Sequence, residues 1–215
     1  MAKDLDPHVR RALASLPDKL ADRVARHLVM AGNLIEEDPQ LAYQHALAAR
    51  ARAQRVAVVR EACGETAYAA GKFSEALSDL RAARRMNGAW DYLPMMADCE
   101  RALRRPERAI AMATEQAKEA LDQAGWAELT IVVAGARRDL GQTEAAIRLL
   151  EGERLHSPSR EAWVSRLRYA YADALESAGR KAEALEWFHR TVAVDGNEDT
   201  DAVLRVQALD GTDGR

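Results

Sequence analysis

Three stretches of the chain share one frame, in which a glycine is followed five residues later by an alanine. The stretches are AGKFSEALSDL at 70–80, LGQTEAAIRLL at 140–150 and AGRKAEALEWF at 178–188. In each of them a small or apolar residue precedes the glycine and an aliphatic residue follows the alanine. A frame that recurs along a chain predicts repeated structural units, and it limits the possible folds more than composition does.

Two further stretches fit the frame with another residue in place of the glycine. They are LRRPERAIAMA at 103–113, with Arg104 in the glycine position, and EEDPQLAYQHA at 36–46, with Glu37 there. The five aligned alanines, spaced by 33 to 38 residues, are Ala42, Ala76, Ala109, Ala146 and Ala184. We therefore expect five copies of one unit.

An apolar residue followed by a small one stands twelve positions before the alanine in most copies. These residue pairs are Cys63–Gly64, Met96–Ala97, Val133–Ala134 and Tyr171–Ala172, whereas the first copy has Val29–Met30. The distance between packed helices depends on the side chains at the contact, so small residues permit a close approach. We expect each unit to be two helices joined by a tight turn.

This unit resembles the tetratricopeptide repeat over roughly residues 20–196. The resemblance implies an all-α, right-handed superhelical solenoid of about five helical hairpins, because one hairpin cannot bury its apolar face alone. We expect a leading helix in residues 1–17 and a capping helix with a frayed tail in 197–215. Between them, the repeat domain 18–196 divides into repeats at 18–54, 55–88, 89–123, 124–158 and 159–196.

Helix-start signals refine these boundaries. Asp6–Pro7, Asp38–Pro39 and Ser157–Pro158 are each typical of an N-cap followed by the first helical turn. The predicted helix pairs are 18–35 with 39–53, 55–70 with 73–86, 91–103 with 106–122, 125–140 with 143–155, and 159–178 with 181–194. A last helix at about 198–208 is predicted to pack through Val203, Leu204 and Val206.

The rest of the sequence favours a non-enzymatic protein of the cytoplasm. The 215 residues are 48% hydrophobic and carry a net charge of -3, which argues against a general nucleic-acid coat. The chain has no phosphate-binding glycine loop and no nucleophile elbow, and its five histidines show no metal-ligand spacing. Cys63 and Cys99 are expected to be reduced apolar helix residues. We expect no cofactor, no metal, no secretion signal and no membrane span.

The resemblance also implies which residues meet a partner, because the first helix of each tetratricopeptide pair lines a concave groove. The groove-facing residues implied here are Glu61, Glu65, Tyr68, Asp98, Arg101, Glu128, Ile131, Arg138, Arg166, Tyr169 and Asp173. This set is mixed in charge with an acidic tilt, and it lacks the basic clamp that such repeats use for a C-terminal carboxylate. A basic or amphipathic protein segment is therefore the expected partner.

An arginine-rich stretch leaves a second reading open. Its residues, which would contact an acidic protein or RNA phosphates, are Arg81, Arg84, Arg85, Arg104, Arg105 and Arg108. The helix dipole offers a structural explanation for arginines at the end of a helix.

The main hypothesis is thus an adaptor or scaffold that binds a protein segment along the groove. The alternatives are an RNA- or nucleoprotein-associated factor, or a sensor that acts with a separate effector chain. Self-association is also possible. Trp90, Trp126, Trp163 and Trp187 are expected to pack between repeats.

Overall fold

The structure, a computed structural model, describes residues 5–211. Within those residues the chain forms thirteen α-helices and no β-strand, so the predicted all-α class is confirmed. In chain order the helices are α1 (Pro7–Leu13), α2 (Asp18–Leu34), α3 (Pro39–Ala53), α4 (Ala57–Ala69), α5 (Phe73–Asn87), α6 (Leu93–Ala102), α7 (Pro106–Ile110), α8 (Glu115–Ala120), α9 (Gln123–Asp139), α10 (Thr143–Glu151), α11 (Ala162–Ser177), α12 (Lys181–Val192) and α13 (Ala202–Asp210). The outer parts of the predicted leading helix and tail, 1–4 and 212–215, lie outside the described residues.

Two of the three predicted helix starts are correct. The Asp6 carboxylate accepts a hydrogen bond from the backbone N–H of His8, and α1 begins at Pro7. The Asp38 carboxylate accepts one from the N–H of Leu41, and α3 begins at Pro39. Each carboxylate satisfies an N–H group that has no partner inside its helix.

The third predicted start, at Ser157–Pro158, is wrong. Helix α11 begins at Ala162, and Pro158 lies in the connection that precedes it. The Arg168 guanidinium reaches back from α11 and donates hydrogen bonds to the carbonyls of Leu155 and Ser157, at 2.8 and 2.9 Å. These bonds tie the connection to the side of the helix, so it does not form the first turn.

The glycine position of the frame is a left-handed turn. Gly71, Gly141 and Gly179 follow the ends of α4, α9 and α11 with φ values of 70°, 73° and 80°. Arg104 holds the aligned position after α6 and adopts a φ of 60° without being glycine. A left-handed residue at this point ends a helix and lets the chain turn back. The backbone path thus repeats at Arg104 although the residue does not, whereas Glu37, which holds this position in the first copy, is not left-handed.

The alanine position is fully buried in every copy. The side chains that are 0% exposed there are those of Ala42, Ala76, Ala109, Ala146 and Ala184. On the facing helix, a Cβ atom built on Gly64 would lie 2.4 Å from Cδ2 of Leu80 on α5. A contact this short is not tolerated, so a methyl group at position 64 would force the buried Leu80 side chain to shift.

The chain divides into two compact units, with the boundary between Arg104 and Arg105. In the first unit α2 packs on α3, α3 on α4, α4 on α5 and α5 on α6, and α1 contacts both α2 and α4. In the second unit α9 packs on α7, α10 and α11, while α11 packs on α12 and α12 on α13. The boundary falls inside the predicted repeat 89–123.

The second helix of that repeat is not the single helix 106–122 that the sequence predicts. Two short helices, α7 and α8, stand there, separated by a turn. Helix α7 ends at Ile110, and Thr114 has an extended backbone at the start of α8, where its hydroxyl accepts a hydrogen bond from the N–H of Ala117 at 3.1 Å. Threonine competes well for backbone groups in this way, so it begins a new helix rather than continuing the old one.

The last helix uses a different face from the predicted one. Ala202 and Leu209 are buried and Val206 is half-buried, so these residues form the packed side of α13. Val203 and Leu204, predicted to pack, are instead 49% and 63% exposed. Both faces satisfy helical periodicity, and the contact with α12 selects one of them.

Candidate functional site

In the first unit, three predicted residues share one side of α4. Glu61, Glu65 and Tyr68 are spaced by four and three residues, which brings them onto one helix face. The Tyr68 hydroxyl donates to Asp98 Oδ2 on α6 at 2.6 Å, so two predicted residues from different repeats meet. Arg101 lies 3.9 Å from Asp98. We call these five residues the first surface.

Two partners of the first surface escaped the sequence prediction. The Tyr92 hydroxyl donates to Glu65 Oε1, and the Asn87 amide donates to Glu61 Oε1, both at 2.6 Å. Burial raises the pKa of Glu65, and this rise is opposed by the bond from Tyr92 and increased by the charge of Glu61. Tyr92 could have been found only as an aromatic residue at the start of the predicted helix 91–103, which is a weak signal.

Helix α1 lies at the edge of the first surface. It contributes Val9 to a cavity of about 200 Å³. Among the other lining residues are Leu28, Val58, Glu61 and Glu65. The predicted leading helix therefore borders two of the predicted binding residues, which the sequence did not indicate.

In the second unit, the predicted residues pair between α9 and α11. Arg166 Nη2 lies 2.7 Å from Glu128 Oε1, and Arg138 Nη1 lies 2.5 Å from Asp173 Oδ2. Burial raises the pKa of Glu128, and the Arg166 guanidinium opposes the rise. These four residues together with Ile131 and Tyr169 form the second surface.

Arg205 of α13 completes the second surface and was not predicted. Its guanidinium donates to the Tyr169 hydroxyl at 3.0 Å, to Asp173 at 2.9 Å and to Glu176 at 2.6 Å. It also lies 4.9 Å from the ring centroid of Phe188. The sequence did not indicate this role, because it depends on which face of α13 docks on α12.

Ile131 differs from the other members of the second surface. It is half-buried and packs against the apolar core of the second unit. Tyr169 also leans on this core through an edge contact with Phe188, at 5.5 Å between ring centroids. Burial and a hydrogen bond with Asp201 raise the pKa of Tyr169 to about 12. The surface is thus a polar layer fixed on an apolar base.

The predicted arginine set is distributed over both units. Arg81, Arg84, Arg85 and Arg104 belong to the first unit, and Arg105 and Arg108 to the second. Arg81 pairs with the buried carboxylate of Glu100 at 2.5 Å. Arg84 stacks at 3.8 Å over the ring of Trp90. Both side chains therefore have a role within the fold, while Arg85 and Arg104 are exposed.

The tryptophans sit at helix contacts. Trp163 is 5% exposed, and Trp126 donates from Nε1 to Glu153 at 3.0 Å. Both line a cavity of about 440 Å³ in the second unit. Trp187 packs edge-on against Tyr171, with ring centroids 5.1 Å apart.

Residues 5–211 contain side chains of the metal-ligating types and two thiols. No group of three or more histidine, cysteine or carboxylate side chains is arranged to hold a metal there. Cys63 and Cys99 are free and buried, and burial raises the pKa of each thiol to about 12, so neither is a ready nucleophile.

No helix of the described part of the chain is both long and apolar enough to cross a bilayer. In comparisons with known proteins, no family model matches the chain and no curated protein matches it.

Proposed function

We propose that the chain is a non-enzymatic adaptor, built from tetratricopeptide-like repeats, that binds a protein segment along the first helices of its repeats. The family assignment is supported by the repeated backbone path. A left-handed residue and a fully buried alanine recur at the same spacing, at Gly71 with Ala76, Gly141 with Ala146 and Gly179 with Ala184. Arg104 and Ala109 continue the series.

One observation carries the functional proposal. In each unit, residues predicted to line a groove contact one another although they are about one repeat apart in the sequence. Tyr68 reaches Asp98 across 30 residues, and Arg138 reaches Asp173 across 35. A row of polar side chains that bridges neighbouring first helices forms a continuous, preorganised surface, and preorganisation reduces the cost of binding.

The charges of the two surfaces favour a basic or amphipathic partner. Glu61, Glu65 and Asp98 outnumber Arg101 on the first surface. On the second surface, each arginine already faces a carboxylate. Charges there would therefore orient a partner only through individual side-chain contacts. An arginine or lysine side chain of a partner would find carboxylate acceptors beside the Tyr68 and Tyr92 rings, where cations bind well.

The RNA alternative receives less support from the fold. Arg81 and Arg84 are held by Glu100 and Trp90, so two of the proposed phosphate contacts already have intramolecular partners. An RNA-binding role would depend on Arg85 and Arg104, with Arg105 and Arg108 on the other unit.

Site-specific crosslinking tests the proposal. A photo-crosslinking amino acid is placed at position 166 on α11 or at position 61 on α4, and the protein is used for capture from a lysate of its source organism. The matched control positions are Arg148 on α10 and Glu75 on α5, which are exposed on second helices. We expect one protein species to crosslink at 61 and 166 and not at 75 or 148.

Two results would contradict the adaptor proposal. Equal crosslinking at the control positions would show that the first helices are not the binding surface. Capture that is abolished by ribonuclease, and by replacing Arg85 and Arg104 with glutamate, would favour RNA instead; such binding would weaken steeply with salt.

A further inference from the structure

Large apolar side chains are exposed at both ends of the helix series. On the first helix pair, Met30 of α2 is 36% exposed and Leu41 of α3 is 38% exposed. On the last helix, Val203 and Leu204 are 49% and 63% exposed. Adjacent exposed apolar side chains rimmed by polar groups commonly mark interaction sites.

Met30 lies in a basic surrounding. Arg23, Arg26 and Met30 line a cavity of about 580 Å³ together with His27 of α2 and His45 of α3. The two imidazoles meet with 3.1 Å between their Nδ1 atoms. We call these five residues the basic face. Its lining residues are cationic, protonatable or apolar apart from Asn33, so it fits an anionic segment that carries apolar side chains.

The apolar residues of the last helix lie in an acidic surrounding. Glu198, Asp199 and Asp201 are exposed and immediately precede Val203 and Leu204. These five residues form the acidic face.

The acidic face is ordered by one carboxylate. Asp195 accepts hydrogen bonds from the backbone N–H groups of Asp199 and Thr200, at 2.9 and 3.0 Å, and from the Thr200 hydroxyl at 2.6 Å. The connection before α13 therefore has a defined shape, and its carboxylates are presented without a large ordering cost.

From this complementarity we infer that the acidic face of one copy docks on the basic face of a second copy. Each face combines exposed apolar surface with charged side chains, and the charges of the two faces are opposite in sign, as expected of two surfaces that bind each other. Contact between two basic faces or two acidic faces would bring like charges together. The contact is therefore head-to-tail. An open assembly has a free basic face at one end and a free acidic face at the other.

A head-to-tail contact has a distinctive solution behaviour. Unless the rotation closes a ring, such contacts generate open assemblies that lengthen with protein concentration. Because the rim charges are exposed, salt should weaken the association. We expect the mean mass to rise between about 10 and 300 µM protein at low salt and to fall again at high salt.

The test uses one variant for each face. Met30→Glu places a negative charge on the basic face, and Leu204→Lys places a positive charge on the acidic face. Each variant retains the other face intact. Met86→Glu is the matched control, because Met86 is 45% exposed on α5 and belongs to neither face. Sedimentation velocity measures the mass of each protein alone and of the 1:1 mixture, and circular dichroism verifies that each is folded.

We expect Met86→Glu to associate like the native chain and each face variant alone to stay monomeric. The mixture of Met30→Glu with Leu204→Lys should form 1:1 dimers and nothing longer, since only one pair of native faces remains. A native chain that is monomeric up to 300 µM would overturn the inference. So would a face variant that still dimerises alone, because that result requires a symmetric contact.

Discussion

The interiors of the two units differ in kind. The second unit has one large apolar core in which Phe188, Leu150, Leu167 and Leu175 are at most 1% exposed. The first unit buries smaller apolar clusters and, in addition, the fully buried carboxylates of Asp79 and Glu100. The second unit is thus stabilised mainly by the packing of large apolar side chains, and the first unit is stabilised partly by buried ion pairs.

The buried carboxylate of Asp79 connects three helices of the first unit. Asp79 on α5 is paired with Arg50 on α3 and with Arg60 on α4, the latter at 2.6 Å. Removing a carboxylate from water is costly, and two guanidinium partners are needed to offset that cost. The arrangement shows how helices rich in alanine, with little side-chain volume to interlock, can still be held in one register.

The largest expected effect is a cavity in the second unit. Phe188→Ala should lower its stability by about 4 kcal/mol, because a fully buried ring is lost from a core that relaxes only in part. Hydrogen exchange of the amides in α11 and α12 should report the loss, while protection in α3 to α5 stays unchanged. The same loss of protection in both units would mean that they unfold together, and the comparison would fail.

The charge counterpart in the first unit is Asp79→Asn. Two guanidinium groups lose their charged partner, which should cost about 3 kcal/mol; Arg50 and Arg60 are partly exposed, so water limits the penalty. Exchange should accelerate in α3 to α5 and not in α11. Glu183→Gln, which removes a carboxylate from the exposed Arg180 pair, is the control and should change nothing measurable. If Asp79→Asn leaves the exchange rates in α3 to α5 unchanged, apolar packing alone stabilises both units.

Gly64→Ala probes the close helix contact of the first unit. The added methyl group should cost about 2 kcal/mol, because it collides with the Leu80 side chain. The aligned positions of the second unit, Ala134 and Ala172, already carry that methyl group. The loss of unfolding free energy in the double variant Gly64→Ala/Leu80→Ala should be smaller than the sum of the losses in the two single variants, as denaturant unfolding would show. Additive losses would contradict a direct clash.

The smallest expected effect is a pH dependence confined to the first unit. Burial, followed by the charges of His45, Arg52, Arg26 and Arg23, lowers the pKa of His27 below its ordinary value. The unfolded chain then binds a proton more readily, so this histidine removes stability as the pH falls through about 6.5.

Urea unfolding at pH 7.5 and 5.5 measures the contribution of His27 when the native chain is compared with the variant His27→Gln. The loss of stability on acidification should be smaller for His27→Gln than for the native chain, since carboxylate contributions are common to both. Low-micromolar protein keeps the measurement free of self-association. An equal loss in both proteins would assign the pH dependence to other groups.

Much of the fold follows from local rules that the sequence displays. The burial of Ala76 and the left-handed turn at Gly71 were predictable, because small residues and glycine obey steric constraints that few neighbours can override. The break before Thr114 was not, since a continued helix and a new helix capped by Thr114 are both locally acceptable. The face chosen by α13 was not, since it depends on the contact with α12. The resemblance placed Tyr68 and Asp98 on first helices but did not predict that they pair, and Arg205 required knowledge of how the last helix docks.

The turn at Arg104 has a consequence for how such a chain can change over generations. A non-glycine residue in the left-handed region carries a strain of roughly 1 kcal/mol, which is small beside the stability of a folded unit. Another residue can therefore replace glycine in one copy without loss of the bend. The amino-acid sequence of a copy can then change while the path of its main chain stays the same.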